Sequence, residues 1–321
     1  MKKNKVLCLY PANEAVRAAL HEAAPGAEIV FASRDSVTLE DARKFDAILG
    51  NPPAEWLSQL EGLRWLQLQS AGAENYAAQM PRGAVLTNAT GAYGLAISEY
   101  MIAAALMLMK GLHLYRDNQR QGLWKDEGKV RSFQGATVLS VGMGDIGGQF
   151  AKRAHALGAR VLGIRRTPHP APDYVEALGT LEDLDAYLPQ ADVVALSLPG
   201  GEQTRHVMDE RRIGLMKKGA LLLNVGRGGA VDTEALCGAL REGRIGGAAL
   251  DVTDPEPLPP GHELYGLKNA LITPHISGGD HLLQTTQAIE AIFIENLGRF
   301  ERGEALTHQV DLATGYMKSK G

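Results

Sequence analysis

Residues 136–147 read Ala-Thr-Val-Leu-Ser-Val-Gly-Met-Gly-Asp-Ile-Gly, and this stretch is the most informative part of the chain. Its apolar part, residues 137–141, predicts a buried strand, and residues 147–157 behind it predict a helix. Between them the glycines form the pattern G-x-G-x-x-G, which permits a tight turn, a close approach of backbone to pyrophosphate and close packing of helix on strand. The first N–H groups of such a helix favour an anion. The stretch therefore predicts a dinucleotide site.

The chain beyond this stretch continues the alternation of strands and helices. Five more strand candidates follow, at residues 161–164, 193–198, 221–225, 248–252 and 271–273. Helical segments separate most of them. Six strands joined by such crossovers predict a doubly wound parallel sheet, in which ligands bind at the carboxyl ends of the strands.

The first hundred residues repeat this α/β alternation on a smaller scale. Stretches with helical spacing, residues 14–21 and 54–60, lie between short apolar runs that suit strands covered on both faces. The runs are residues 6–9, 28–31, 47–49, 65–68 and 85–87. We therefore expect a second α/β layer with four or five parallel strands.

Three longer segments complete the organisation of the chain. Residues 95–109 carry a single charge, Glu99, and predict a buried helix, because a helix that is apolar nearly all round has no face for solvent. Residues 111–134 are polar and predict a linker. Residues 282–304 predict a last helix with one apolar face.

Composition limits the classes of partner. The 321 residues are about twice the ~150 typical of one domain, which favours two domains. The net charge of -4 gives no electrostatic attraction to nucleic acid or to an anionic membrane. The longest uncharged apolar run, residues 100–109, is half of the ~20 residues that cross a bilayer. Two distant cysteines, Cys8 and Cys237, form no disulfide scaffold. We expect a cytoplasmic protein without nucleic-acid or membrane partners.

The end of the second strand of the larger sheet indicates which dinucleotide binds. An NAD site normally has Asp or Glu about 20 residues after the glycines, where the carboxylate accepts hydrogen bonds from the ribose hydroxyls. Arg165 and Arg166 occupy that place here. Guanidinium groups cannot accept those bonds, but they pair with a 2′-phosphate, although a solvated surface pair would have the same sequence. The sequence favours NADP(H) and leaves NAD(H) possible.

Three further predicted strands are each followed by a residue with catalytic potential. Arg227 comes after residues 221–225, Glu256 lies in a proline-rich loop after residues 248–252, and His275 follows residues 271–273. We expect all three at the carboxyl edge of the sheet. Taken singly, each also has an ordinary explanation, as a surface ion pair, a solvated loop residue or a structural histidine.

Together these three groups match the reduction of a 2-keto acid. Arg227 can hold the substrate carboxylate and polarise the neighbouring carbonyl group. His275 can donate the proton that the carbonyl oxygen needs, as histidines do near neutral pH. Glu256 can accept a hydrogen bond from the other ring nitrogen and so fix the tautomer.

Two other functions are compatible with the same fold. One is a non-catalytic NAD(P)-sensing module of corepressor type, which needs none of the three catalytic groups. The other is an NAD-linked oxidation of another small anion, such as formate or phosphite. The remaining histidines show no metal-ligand spacing, so no metal site is predicted.

Four motifs resemble the D-isomer-specific 2-hydroxyacid dehydrogenase family, and within it the glyoxylate and hydroxypyruvate reductases. They are Gly-Met-Gly-Asp-Ile-Gly at 142–147, Asn-Val-Gly-Arg-Gly at 224–228, Ala-Leu-Asp-Val-Thr-Asp-Pro-Glu-Pro-Leu-Pro at 249–259 and Thr-Pro-His-Ile-Ser-Gly at 273–278. The resemblance covers essentially the whole chain, including Ser-Ala-Gly-Ala at 70–73. It departs from the family at Arg165, where an acidic residue is usual.

The resemblance implies a Rossmann cofactor domain, residues 102–284, inserted in a flavodoxin-like substrate domain, residues 1–101 and 285–321. It also implies that His275 is the acid/base, that Glu256 is its partner and that Asp251 contacts the nicotinamide carboxamide. Backbone N–H groups would hold the substrate carboxylate, and the homodimers common in the family would use the long helix and the linker. The implied substrate site comprises Ala71, Gly72, Ala73, Arg227 and His275.

These arguments together predict a reductase that prefers NADP(H) and converts a small 2-keto acid to a D-2-hydroxy acid. The residues assigned to its cofactor site are Gly142, Gly144, Asp145, Ile146, Gly147, Arg165, Arg166, Leu198, Pro199, Thr204, Val225, Gly226 and Asp251.

Overall fold

The computed structural model describes residues 3–279, 281–315 and 317, which contain two parallel β-sheets. The strands of the first sheet are β1 (Lys5–Cys8), β2 (Glu28–Phe31), β3 (Ala47–Leu49), β4 (Trp65–Gln67) and β5 (Val85–Thr87). Those of the second sheet are β6 (Thr137–Val141), β7 (Arg160–Ile164), β8 (Ala177–Gly179), β9 (Val193–Leu196), β10 (Leu221–Asn224), β11 (Gly247–Leu250) and β12 (Ala270–Ile272).

Helices lie between most of these strands. They are α1 (Glu14–Ala23), α2 (Leu39–Ala42), α3 (Glu74–Ala77), α4 (Gly94–Lys110), α5 (Leu112–Arg120), α6 (Asp145–Ala156), α7 (Leu184–Tyr187), α8 (Glu210–Leu215), α9 (Thr233–Arg241) and α10 (Leu283–Arg302). Short 3-10 helices occupy Arg34–Ser36, Ala54–Gln59, Leu181–Asp183, Leu188–Gln190, Gly228–Ala230 and Glu263–Gly266. The predicted α/β class with two doubly wound parallel sheets is confirmed.

The chain forms two compact units, with divisions after Tyr93 and after Gly279. The second unit is continuous, whereas the first is made from the chain before and the chain after it. The predicted domain boundaries, after residues 101 and 284, lie further along the chain than these divisions. The assignment of substrate and cofactor to separate domains stays a prediction.

The first unit has the strand order β2-β1-β3-β4-β5, with every neighbouring pair parallel. This is the 2-1-3-4-5 order of flavodoxin-like sheets. On one face, α1 and α10 pack together around Leu20, Phe293 and Leu297, all fully buried. The strands consist almost entirely of buried apolar residues, which is why short runs sufficed to predict them.

A buried polar network joins α10 to the sheet of the first unit. The amide of Asn296 donates from Nδ2 to Gln67 Oε1 at 2.8 Å, and its Oδ1 accepts from the Thr307 backbone N–H at 2.8 Å. Thr87 donates to the same Gln67 oxygen and accepts from Trp65 Nε1, both at 2.8 Å. Because Asn296 is fully buried, these bonds replace the water that its amide has lost.

The second unit has the strand order β12-β11-β10-β9-β6-β7-β8, again parallel throughout. Numbered within the unit, this order is the 3-2-1-4-5-6 arrangement of dinucleotide-binding folds with one strand added. The strand Ala177–Gly179 was missing from the prediction, because its three residues are only half-buried and lie at the edge of the sheet.

Two predictions about the middle of the chain need correction. The stretch predicted as a linker contains the helix α5. This helix is amphipathic although its sequence is mostly polar, and it begins after Gly111, which has the left-handed conformation. The long apolar helix, α4, buries one face against α6, β10 and β11, but Met107 on its other side is 39% exposed. An apolar sequence alone did not reveal this exposed side.

No single helix within the described part of the chain is long and apolar enough to cross a membrane. Helices α4 and α5 together have the length and apolar composition of a membrane span, but they are bent by 69° relative to each other. Mostly buried core helices of soluble proteins have the same length and composition.

Replacing Asn296 by alanine should destabilise the first unit by about 2 kcal/mol, because the Thr307 N–H loses its acceptor inside the core. Urea unfolding followed by tryptophan fluorescence measures the change. The exposed neighbour Glu295, paired with Arg299 one turn on, is the control, and Glu295→Ala should cost less than about 0.5 kcal/mol. Equal unfolding midpoints for the two variants would contradict the role of the network.

Candidate active site

The predicted site residues of the second unit follow six neighbouring strands of one sheet. Because these strands are parallel, the loops after them leave the same edge of the sheet. In spatial order the edge carries His275 after β12, Asp251 and Glu256 after β11, Arg227 after β10, Leu198 to Thr204 after β9, the glycine-rich loop after β6 and Arg165 after β7. This adjacency was not visible in the sequence.

The glycine-rich loop is drawn tight between β6 and α6. A Cβ atom on Gly147 would lie 1.8 Å from the carbonyl oxygen of Gly142, so only glycine fits at this position. Two hydroxyl groups brace the loop: Ser197 donates to the Gly142 carbonyl at 2.8 Å, and Ser140 donates to the Gly147 carbonyl at 3.1 Å. The N-cap of α6 is Gly144, which has no side chain to cover the first N–H groups. This cradle fits a pyrophosphate.

The acidic residue in the loop, Asp145, begins α6 and lies beside the first residue of α4. A Cβ atom on Gly94 would lie 2.3 Å from Asp145 Oδ1 and 2.8 Å from Oδ2. The carboxylate therefore lies against the start of α4. The participation of Asp145 and Ile146 in cofactor binding stays a prediction.

Arg165 and Arg166 lie directly after β7. The Arg165 backbone N–H donates to the carbonyl of Gly179 at 2.9 Å, so the edge strand β8 holds the backbone of Arg165 in place. Arg165 is half-buried and Arg166 is exposed. The two arginines thus follow the strand that pairs with β6, the strand before the glycine-rich loop. Their part in binding a 2′-phosphate stays a prediction.

The loops after β9 and β10 contain the other predicted cofactor contacts. Thr204 is buried, and its hydroxyl bonds to the carbonyls of Pro199 at 2.8 Å and Gly201 at 3.0 Å, which folds the loop after Leu198. Gly226 lies directly against Leu198, since a Cβ atom there would be 2.3 Å from the Leu198 carbonyl oxygen. Val225, which precedes it, is buried.

The turn that carries Arg227 is shaped by Asn224. Its side chain accepts from the Gly226 N–H at 3.1 Å and donates to the Arg227 carbonyl at 2.9 Å. The next residue, Gly228, lies against the loop of Glu256: a Cβ atom there would be 1.9 Å from the Thr253 carbonyl oxygen. The loops of Arg227 and Glu256 are therefore packed together.

His275 and Glu256 are in direct contact. Nδ1 of the imidazole lies 2.6 Å from Glu256 Oε1, and both side chains are about half exposed. His275 has φ +54°, a left-handed conformation that costs a non-glycine residue about 1 kcal/mol or more. Such strain persists only where the surrounding structure imposes it, and it is typical of functional residues.

Asp251 has a role that the sequence did not reveal. It is almost completely buried, and its carboxylate accepts hydrogen bonds from Thr273 Oγ1 at 2.6 Å, the Ile276 N–H at 2.9 Å and the Ser277 N–H at 3.0 Å. The Ser277 hydroxyl donates to it as well. Asp251 thus holds the segment on both sides of His275, and its contact with a carboxamide stays a prediction.

Ala71, Gly72 and Ala73 belong to the first unit, in the loop between β4 and α3. Ser70 Oγ donates to the Gly72 carbonyl at 2.8 Å, and Asn88 Nδ2 donates to the Ala71 carbonyl at 2.7 Å. These bonds occupy the carbonyl groups of the loop. A well-ordered loop of this kind can present N–H groups to an anion.

The described part of the chain offers little support for thiol or metal chemistry. Both cysteines are buried, and burial raises the pKa of the Cys8 thiol to about 11, so it stays protonated. Residues 3–279, 281–315 and 317 contain no group of three or more His, Cys, Asp or Glu side chains placed to hold a metal ion. The positioning roles of Ser197 and Thr273 had no signal in the sequence, because their partners are 55 and 22 residues away along the chain.

Comparison with known proteins agrees with this geometry. The model of the D-isomer specific 2-hydroxyacid dehydrogenase NAD binding domain matches residues 102–277. The (S)-sulfolactate dehydrogenase of Chromohalobacter salexigens is 36% identical over 66% of this chain and 68% of its own length. A crystal structure of a family protein from Aeromonas salmonicida is 32% identical, with a TM-score of 0.85 over 97% of this chain and 100% of the other. A Xanthobacter autotrophicus family structure with NADPH and MES is 28% identical, with a TM-score of 0.82 over 98% and 100%.

The chain belongs to the D-isomer specific 2-hydroxyacid dehydrogenase family. It is therefore an oxidoreductase of the NAD(P)-dependent 2-hydroxyacid dehydrogenase class.

Gly147→Ala should weaken NADPH binding about ten- to hundredfold, because the added methyl group forces the loop away from the start of α6 and such overpacking costs ~1–3 kcal/mol. Fluorescence titration with NADPH measures the dissociation constant. The next residue provides a matched control, since a Cβ on Gly148 meets only Tyr174 Oη at 3.7 Å, and Gly148→Ala should bind normally. Equal affinities would show that the loop does not bind the cofactor.

Proposed function

We propose that the protein is an NADPH-preferring reductase of small 2-keto acids that yields D-2-hydroxy acids, with His275 as the proton donor. The observation that carries the proposal is the 2.6 Å contact of His275 Nδ1 with Glu256, in a loop packed against the turn of Arg227. A sensor would need no such arrangement of acid, anion and cation.

The contact with Glu256 assigns roles to the two imidazole nitrogens. A carboxylate only accepts hydrogen bonds, so the proton on Nδ1 is donated to Glu256. Nε2 then faces away from Glu256 and carries the transferable proton of the imidazolium. This proton passes to the carbonyl oxygen of the substrate, and Glu256 stabilises the positive charge of the ring until the transfer occurs.

Arg227 supplies the cation for the substrate. Its guanidinium group can bind the carboxylate through two parallel hydrogen bonds and polarise the adjacent carbonyl. Nη1 donates to the Gly226 carbonyl at 2.8 Å, which fixes the direction of the side chain at the edge of the sheet. The part of Ala71, Gly72 and Ala73 in binding the substrate, through their backbone N–H groups, stays a prediction.

Bound NADPH would supply the hydride that reduces the carbonyl carbon. The residues that would hold it are those of the glycine-rich loop, the loops after β9 and β10, and the arginines after β7. Arg165 and Arg166 would pair with a 2′-phosphate, and the lack of an acidic acceptor there disfavours the ribose hydroxyls of NADH.

An exposed apolar surface supports the expected homodimer. Met107, Leu112, Leu123 and Val130 are each at least 39% exposed, and Trp124 is fully exposed. They lie on α4, α5 and the segment that follows, where the sequence predicted the dimer contact. Covering such side chains with a second copy removes apolar area from water.

Replacing His275 by asparagine should lower kcat for keto acid reduction by about 10²–10⁴-fold and leave NADPH binding unchanged, because the proton donor alone is removed. NADPH absorbance reports turnover with glyoxylate, hydroxypyruvate, pyruvate and an aromatic keto acid, and the reverse reaction is assayed with (S)-sulfolactate.

The exposed His155 on α6 provides the control, and His155→Asn should retain full activity. NADPH binding without turnover of any substrate would support the sensor instead. Full activity of His275→Asn would remove His275 from the mechanism.

Arg165→Gln should lower kcat/KM with NADPH by about tenfold or more and leave that with NADH almost unchanged, because only the 2′-phosphate loses a charged partner. Arg160→Gln, at the opposite end of β7, is the control and should not alter the ratio. Parallel loss of both activities in the Arg165 variant would argue against a phosphate contact.

A further inference from the structure

The segment Thr273 to Ser277 is attached to a single buried carboxylate. Within the part of the chain that the structure describes, four donors to the Asp251 side chain belong to this segment: the Thr273 hydroxyl, the Ile276 N–H, and the N–H and hydroxyl of Ser277. The Asp251 carbonyl also accepts from the His275 N–H at 2.8 Å. The position of the imidazole therefore depends on how firmly Asp251 and Thr273 are held.

A hydroxyl group on α4 completes this arrangement. Tyr100 Oη lies 2.6 Å from Thr273 Oγ1, and Thr273 Oγ1 lies 2.6 Å from Asp251 Oδ1. The threonine hydroxyl has one proton, and a carboxylate can only accept, so that proton is directed to Asp251. Tyr100 must then be the donor to Thr273.

The phenol remains a donor over the working pH range. Burial raises the pKa of Tyr100 above its ordinary value, and the nearby Asp251 charge raises it further, outweighing the bond to Thr273. The result is an ordered chain of hydrogen bonds from Tyr100 through Thr273 to Asp251. Hydrogen bonds in such a chain polarise and strengthen one another.

We infer that Tyr100 is a positioning residue for the acid/base: acting through Thr273 and Asp251, it holds the segment that keeps His275 in its left-handed conformation. The inference rests on the proposed function, because it assigns to α4 a part in presenting the proton donor. Tyr100 itself contacts neither substrate nor cofactor in this role. It restricts the orientations of the imidazole from which a proton can be delivered.

The kinetic test uses four variants. Tyr100→Phe should lower kcat about tenfold with unchanged KM for NADPH, since the cofactor loops keep their own bonds. Thr273→Val should lower kcat at least as much, and Thr273→Ser, which keeps the hydroxyl, should restore most of it. The double variant Tyr100→Phe/Thr273→Val should equal Thr273→Val alone, because Tyr100 acts only through that hydroxyl.

A second measurement is independent of activity. Hydrogen exchange should become faster at the Ile276 and Ser277 amides in Tyr100→Phe, with the rest of the second unit unchanged. Tyr115→Phe is the matched control. Tyr115 lies on α5, the helix that follows α4, and this substitution also removes a tyrosine hydroxyl that is bonded to a carboxylate, that of Asp126. This control should change neither kcat nor exchange in the segment.

Unchanged kcat and exchange in Tyr100→Phe, or additive effects in the double variant, would overturn the inference. A loss of kcat accompanied by an equal rise in KM for NADPH would also overturn it, since that result indicates general loosening. If the wild type shows no turnover that depends on His275, the proposed function fails, and the exchange result alone then decides whether Tyr100 restrains the segment.

Discussion

The arrangement of the second unit depends on the burial of the Asp251 carboxylate. Removing a carboxylate from water is costly, and the cost is met here by hydrogen bonds to the charged form. Among the described residues, the donors to this carboxylate come from the segment that carries His275, so the burial of the charge depends on that segment being in place. The presentation of the imidazole is thus coupled to the folding of β11 and β12, and the strain at His275 is balanced by these bonds.

The parallel sheet brings together groups that are far apart in the chain. The glycine-rich loop, Arg227, Glu256 and His275 each follow a different strand, and the order of the strands makes these loops neighbours. The loops also pack closely against one another. Because Gly228 has no side chain, the Thr253 carbonyl lies directly against the turn of Arg227. The packing of these loops thus adds main-chain contacts to the side-chain hydrogen bonds around Asp251, and it requires glycine where a Cβ atom would intrude.

The sequence was informative where local pattern and burial coincide. The buried strands and the helix after the glycine-rich loop were predicted because apolar runs and glycines act over a few residues. The strand Ala177–Gly179 and α5 escaped prediction because one is short and half-exposed and the other polar. The network around Asp251 was beyond reach, since its partners lie 22 to 26 residues away and meet it only through strand pairing.

The division of the chain imposes an order on its folding during synthesis. The second unit is one uninterrupted stretch and can fold as soon as it has left the ribosome. The first unit must wait, because α10, whose Phe293 fills its core beside α1, is made only after the whole of the second unit. Until then the early strands expose an apolar face to the cell. The amino-terminal part of the first unit is therefore the part of the chain that waits longest for its packing partner during synthesis.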